Sequence, residues 1–520
     1  MGMWQVSATL KGEIPLWLSF TRKQRMDLLI PALIIVVVLI LFLLAFMLFR
    51  TLTFARALSI EEPVEGIPVD APQVAEHLGA ALRFVTISVI DGSSAAGYMP
   101  FLDLQNYLQQ TYPLVHARLE RRRFGDYSLL YTWPGSNPDL APIVLMAHQD
   151  VVPIPSESLP NWTHAPFSGA VADGYVWGRG AQDCKMQLIG ILEAAERLLS
   201  NNFTPARTIY FAFGHDEEIG GQQGARAIAN WFTEQGIHPE AVLDEGGAVV
   251  DGLLPGIDTP VGLIGVAEKG FMTLELTVEA APGHSSTPPR ETAIGILAKA
   301  IAFIEATPAP IRLDAAEMLF RGVGPVLPFG LQFALANRWL FGGMVGKNLA
   351  KNPATNAMIR TTAAPTIIHA GVKENVLPAS AIAKINIRLL PGDTIAGSCE
   401  RVRKIIADER VKFEPMQAFI AAPSPFSRTD TPAYHALART IRQMFDNVPV
   451  APMLMLGGTD ARNYHEICES VYRFIPLVFN SEDMKRVHGT NERVSVEGMA
   501  RLVQFFAQIM LVWGSPLVDK

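Results

Sequence analysis

Charge is scarce in this chain. Asp, Glu, Lys and Arg make up 18% of its 520 residues, and 43 basic residues against 50 acidic ones leave a mild net charge of −7. No basic patch or polybasic tail is present, so nucleic acid is excluded as the natural partner. Cysteine is scarcer still. Cys184, Cys399 and Cys468 are widely spaced and form no CxxC, so there is no disulfide framework and the redox compartment stays open. No internal repeat is visible. Long apolar runs are also lacking, with one exception at the N-terminus, and a transporter needs several. What is abundant is apolar residue, at 49%, which argues against disorder and, at roughly 100–200 residues per domain, allows two to four domains.

The exception is DLLIPALIIVVVLILFLLAFMLFR, from Asp27 to Arg50, with 22 apolar residues between the two charges, Pro31 included. A helix of that length crosses a hydrocarbon core of about 30 Å. A cleaved signal peptide is the competing reading, and ARA at 55–57 loosely resembles a cleavage site. Signal-peptide apolar regions, however, run only about 7–15 residues. The expectation is an uncleaved transmembrane helix over 28–49, with 1–27 cytoplasmic. Lys11, Arg22, Lys23 and Arg25 precede the span, while only Arg50 and Arg56 closely follow it. The positive-inside rule then puts everything after the span on the non-cytoplasmic side: periplasm, organelle lumen or exterior. NWT at 161 and NFT at 202 are glycan acceptors if the source is eukaryotic.

Residues 50–70 read as a linker with proline and acidic residues. Beyond it PIVLMAH, RTIYFAF and AVLDEGGAVV read as buried strands, separated by the amphipathic helices CKMQLIGILEAAERLLSNN and GGQQGARAIANWFTEQG. This pattern predicts an α/β fold with a mixed, largely parallel sheet and helices on both faces. From about 266 the texture changes. GFMTLELTVEA and ASAIAKINIRLL alternate apolar with polar residues, and each is followed by a helix, which predicts a smaller inserted α+β lid over 266–420 between catalytic segments 71–265 and 421–515. Within the insertion, VLPFGLQFALANRWLFGGMVG is apolar and glycine-rich. It reads as packing between helices, or as a pocket wall or membrane-facing surface.

Three strand ends carry acids or histidines: MAHQD, FGHDEE and VLDEGG. Open α/β sheets bear their sites at the carboxyl ends of strands. The suspect groups are His148, Asp150, Asp183, Glu217, Glu218, Asp244 and His488. His148 and Asp150, as HxD, share one face, where the carboxylate can orient the imidazole. Asp183, in GRGAQDCK, either serves the site or caps the following helix. Adjacent Glu217 and Glu218 let one bind a metal while the other points elsewhere. Clustered like charges need cations, nitrogen and oxygen donors suit zinc, and so many acids suit two metals sharing a carboxylate.

These motifs carry a resemblance. MAHQDVVP, VWGRGAQDCK, FGHDEEIGG, LDEGG, GHSSTPP, the TTAAPTIIHAGVKENVLPASA segment, GGTDARNY and VHGTNE are similar, in order, to the zinc-dependent exopeptidases and amidohydrolases that include carboxypeptidase S and aminoacylase. The nearest likeness is to the carboxypeptidase S branch, with its N-acyl-amino-acid hydrolases, over about residues 75–510. The resemblance implies two Zn2+ per chain. His148 would bind one and His488 the other, Asp183 would bridge, and Glu218 and Asp244 would complete the two sets. Glu217 would be the general base, Asp150 would orient His148, and the Asp183–Cys184 peptide would be cis. His284 would contact the oxyanion from a neighbouring subunit. Asn375, Arg388, Gly457, Gly458, Thr459, Asp460 and Arg462 would lie near substrate. The 320–360 segment exceeds the lid of shorter relatives, which leaves a homodimer through the lid open. The expected reaction is hydrolysis of a small peptide or N-acyl amino acid, with a fatty acyl group as the alternative. A non-catalytic, membrane-tethered binding protein on the same scaffold is the reading from another class.

Overall fold

A computed structural model describes residues 22–54, 59–89, 95–254 and 256–517. Residues 1–21 and the ARA sequence at 55–57 lie outside this range. One apolar helix, Arg22–Leu52, stands at the N-terminus, and its residues from Leu28 to Phe46 are exposed. By length and composition it can cross a membrane. Beyond it, Glu61 is tied to the catalytic domain. Glu61 pairs with Arg442 at 3.2 Å, and its N–H donates to the Asn447 side chain at 2.7 Å.

The catalytic domain is built on an eight-stranded mixed sheet. Its order is Glu120–Phe124, Ser128–Trp133, Ile209–Gly214, Ile143–His148, Ala241–Val250, Val471–Phe479, Val261–Glu268 and Val450–Met455. Ile143–His148 runs parallel to both its neighbours, and Ala241–Val250 runs parallel to Val471–Phe479, while the first two strands pair antiparallel. The continuous apolar strands follow from burial on both faces. Ile143, Leu145, Phe211 and Phe213 pack into one core with the helices Lys185–Ser200 and Val496–Trp513. Val144, Met146, Tyr210 and Ala212 alternate into another with the helix Ala225–Glu234.

The lid begins at Gly270, two residues after a strand of the catalytic sheet ends. Its four antiparallel strands run in the order Thr362–Ala370, Ser380–Leu389, Gly270–Glu279 and Val411–Ala421. Met272, Leu274, Leu276 and Val278 alternate toward the helices Ala293–Ala306 and Ile395–Ile406, giving the lid its own core. Between the lid's first helix and its next long strand, the chain forms four helices: Asp314–Gly322, Phe329–Ala336, Arg338–Leu349 and Pro353–Ile359. This helical insert does not share the lid's core. Leu319, Val323, Leu335 and Val345 pack on Val261, Leu263 and Ala451 at the margin of the catalytic sheet. Asn161 and Asn202 are exposed.

Candidate functional site

The parallel strands deliver their carboxyl ends to one rim. His148 is the last residue of its strand, and Glu217 and Glu218 follow Ile209–Gly214 in a short helical turn. Asp183 directly precedes the Lys185–Ser200 helix, across a cis Asp183–Cys184 bond. His488 arrives from a loop near the C-terminus.

The Asp183 carboxylate lies between the two histidines. Its Oδ1 is 2.9 Å from Nε2 of His148, and its Oδ2 is 2.8 Å from Nε2 of His488. Glu218 Oε2 lies 3.4 Å from the same nitrogen of His488. Asp150 is wholly buried; its carbonyl bonds His148 Nδ1 at 3.0 Å, and its carboxylate makes three further contacts. Its Oδ1 is 3.3 Å from His148 Nδ1, and its two oxygens accept the N–H groups of Glu217 at 3.2 Å and Glu218 at 3.1 Å. One residue therefore orients both the imidazole, through its carbonyl and carboxylate, and the turn that carries both glutamates, through its carboxylate.

Asp244 differs from expectation. Its Oδ2 accepts the N–H of Ala461 at 2.8 Å, which ties down the GGTDAR loop, while the next residue, Glu245, comes within 3.2 Å of His148 Nε2. Successive side chains of a strand point to opposite faces, so only one of the pair can reach the rim. The carboxylate that this strand brings to His148 is that of Glu245, while Asp244, the expected ligand, is turned to the GGTDAR loop. The motif LDEGG holds both acids, and nothing local distinguishes them.

Electrostatics describe a site built for cations. Burial pushes the Glu217 carboxyl well above its usual range, with Asp460, Glu245 and Glu218 adding to the rise. Burial, with Asp183, pushes Glu245 up to about 8. Burial works against charge on Asp183 too, but hydrogen bonds from His148 and His488 hold it below the ordinary carboxylate range. Hydrogen bonds to Asp183 and Glu218 raise His488 to about 10. Four crowded acids sharing two imidazoles are short of positive charge. Donor atoms of His148, Asp183 and Glu218 lie within 4.8 Å of one another, as do those of His148, Cys184 and Glu245. Glu218 Oε1 is buried with no hydrogen-bond partner. An orphaned buried oxygen beside convergent nitrogen and oxygen donors fits divalent cations. The Cys184 thiol is pushed well up by burial and accepts the His148 N–H at 3.3 Å, so it serves the site as a buried neutral group.

The remaining candidates divide. Arg462 and Arg388 flank one ring, with guanidinium carbons 5.6 and 5.4 Å from the centroid of Phe271, and Arg462 Nη2 is 3.7 Å from Glu217 Oε1. Thr459 donates to the buried Glu268 at 2.7 Å. Gly457 is exposed, and Gly458 is partly covered by the Arg462 guanidinium. Asp460 is buried with neither carboxylate oxygen hydrogen-bonded, and burial pushes its pKa well up. A Cβ at Gly221, where φ is +66°, would overlap that carboxylate, so FGHDEEIGG needs glycine there. His284 and Asn375 are brought together, but not to the rim. Gly283–His284 pairs with Val376–Leu377, both residues are exposed, and His284 Nδ1 bonds to Ser286 at 2.8 Å.

Sequence reasoning missed the support beneath Asp183. Glu492 is fully buried; it bonds Arg179 at 2.5 Å and accepts the N–H groups of Gln182 at 2.7 Å and Asp183 at 3.2 Å. Arg179 also donates to the His488 carbonyl at 3.1 Å. The signal was present, since Arg179 and Glu492 stand inside GRGAQDCK and VHGTNE.

Comparison with known proteins identifies the family. Residues 144–512 match the peptidase family M20/M25/M40. The chain is 40% identical over 441 residues to the probable carboxypeptidase S-like 2 of Dictyostelium discoideum, covering 84% of each chain. It is also 40% identical over 478 residues to the N-fatty-acyl-amino acid synthase/hydrolase PM20D1 of Xenopus tropicalis, covering 90% of this chain and 92% of that one. Among solved structures, the M20 family metallo-carboxypeptidase Sso-CP2 from Sulfolobus solfataricus shares the fold with a TM-score of 0.61 at 17% identity, over 84% of this chain and 98% of that one.

Proposed function

The chain belongs to the M20/M25/M40 peptidase family, and from that premise we propose that it hydrolyses an amide bond whose leaving group is an amino acid with a free carboxylate. The observation that carries the reading is the Asp183 carboxylate between His148 and His488, with Glu217 beside it and two arginines beyond. His148, Asp183, Glu218, Glu245 and His488 would hold two zinc ions. When bound, the ions supply Lewis acidity to the scissile carbonyl and lower the pKa of the attacking water. Glu217 takes the proton of that water as the oxygen–carbon bond forms, and gives it to the nitrogen as the carbon–nitrogen bond breaks. Arg388 and Arg462 receive the substrate carboxylate, because a planar guanidinium matches its two oxygens. Asp150 and the Arg179–Glu492 pair keep the imidazole and the bridging acid in position.

The acyl side is first read as a peptide, as the name of the Dictyostelium relative suggests. One observation favours a fatty acyl group instead: Phe329, Trp339, Leu340 and Met344 form exposed apolar surface beside the N-terminal apolar helix. That helix is read as a single-pass anchor with a cytoplasmic N-terminus. Zinc-loaded protein assayed on a glycyl-leucine-type dipeptide and on an oleoyl amino acid separates the readings. Failure on both, with fewer than two zinc ions per chain, would overturn the hydrolase and support an inert binding scaffold.

A further inference from the structure

We propose that the helical insert, through Phe329–Leu349, rests on the surface of the same bilayer that the N-terminal helix crosses, making a second, peripheral contact with lipid. The inference rests on the reading of that helix as a membrane span.

Three observations carry it. First, burial of the apolar helix starts abruptly. From Leu28 to Phe46 its side chains are exposed; beyond, one stripe is covered, with Met47, Thr51 and, just past the helix, Phe54 buried, while Leu48, Phe49 and Leu52 stay exposed. What covers the stripe is the insert. Asn337 donates to the Met47 carbonyl at 3.2 Å and to the Thr51 hydroxyl at 3.3 Å, and Arg50 donates to the Ala336 carbonyl at 3.0 Å. Arg50 closes the apolar run, so the insert grips the helix at the level where hydrocarbon gives way to water.

Second, the residues next to this grip are apolar and face solvent. Trp339 and Leu340 follow Asn337 almost directly and are 52% and 53% exposed, Met344 is 59% exposed and Phe329 56%. Leu340 and Met344 stand one helical turn apart on one face, and the exposed Lys347 lies three residues beyond Met344. A tryptophan with apolar neighbours and a flanking lysine is the composition of a helix lying in a membrane interface.

Third, the insert cannot hide this face by turning. Its opposite face, with Leu335, Ala336 and Val345, lies in one buried cluster with Leu319 of the first insert helix, which in turn packs on the catalytic sheet at Leu263 and Ala451. The exposed face therefore adjoins the apolar helix, through the Asn337 and Arg50 hydrogen bonds, and is joined to the catalytic domain through the shared buried cluster. Such a contact fixes the domain's orientation on the membrane, which a single helix does not do.

The test uses the full-length chain in phosphatidylcholine vesicles containing a phospholipid with a diazirine in its acyl chain. After photolysis, labelled peptides are mapped by mass spectrometry. Label is expected on the N-terminal helix and on residues 329–344. The double variant Trp339→Glu, Met344→Glu should lose the second label, keep the first, and melt at the wild-type Tm in detergent. Label on the N-terminal helix alone would overturn the peripheral contact and leave the anchor intact. Absence of label on that helix would defeat the anchor reading and the proposal with it. Amine cross-links between copies at Lys347, in place of lipid label, would assign the face to a second copy and overturn the proposal.

Discussion

The rim of the catalytic sheet and the tip of the lid both carry candidate site residues, but in opposite physical states. At the rim, His148, Asp150, Asp183 and Glu245 are largely buried and hold one another at 2.9–3.3 Å. At the lid tip, His284 and Asn375 are exposed; the His284 ring bonds to Ser286, and the only wider tie is the short pairing of Gly283–His284 with Val376–Leu377. On the proposed reaction, the difference separates two tasks. A cation cluster must be organised before substrate arrives, because its charges are tolerable only in a fixed arrangement. A group that meets the oxyanion need only arrive with the substrate, by lid closure or from a neighbouring subunit, and can wait in water at little cost.

The sharpest way to break this comparison is at the base. Glu217→Gln should cut kcat by about 10²–10⁴-fold, the usual worth of a general base, with the metal content unchanged. Retained turnover would remove Glu217 from its role. The next test sets neighbours on one strand against each other. Glu245→Ala should lose one metal equivalent and most activity, whereas Asp244→Ala should keep both metals and disturb the Thr459–Arg462 loop that Asp244 anchors. Equal metal loss in the two variants would reverse the assignment of Glu245.

On the lid, His284→Ala should lower kcat by up to about 10²–10³-fold, as for an oxyanion donor, with zinc content and thermal stability unmoved. An unchanged kcat would confine the lid tip to covering the substrate. The smallest effect lies behind the rim. Burial, with the Arg473 charge 3.1 Å away, lowers His465 to about 3 from an ordinary 6.5. The unfolded chain then binds more protons between about pH 3 and 6.5, so stability falls as pH falls through that window. His465→Gln should flatten the acid limb of a plot of Tm against pH, and an unchanged slope would show that His465 is not held neutral.

Much of the scaffold was legible because its physics is local. Unbroken apolar strands announced burial on both faces, and the two-residue alternation of Gly270–Glu279 announced a sheet covered on one side. The insert was less legible. Its apolar content suits a core, a pocket or a lipid surface alike, and only the packing of one face on Leu263 and Ala451 reveals that the other is bare. Glu245 was hidden for a related reason, since the parity of a strand residue depends on what its neighbours cover.

The sequence by itself determined which residue types are available for chemistry, that they stand at strand ends, and that one N-terminal run is long enough to span a bilayer. Those properties reside in composition and short-range periodicity. The tertiary structure alone decided that Glu245 rather than Asp244 turns to the rim, that Glu492 and Arg179 brace Asp183 and His488, and that the insert grips the end of the apolar helix. Each depends on contacts between segments remote in the chain, where burial and hydrogen-bond satisfaction are set by the partner rather than by the residue.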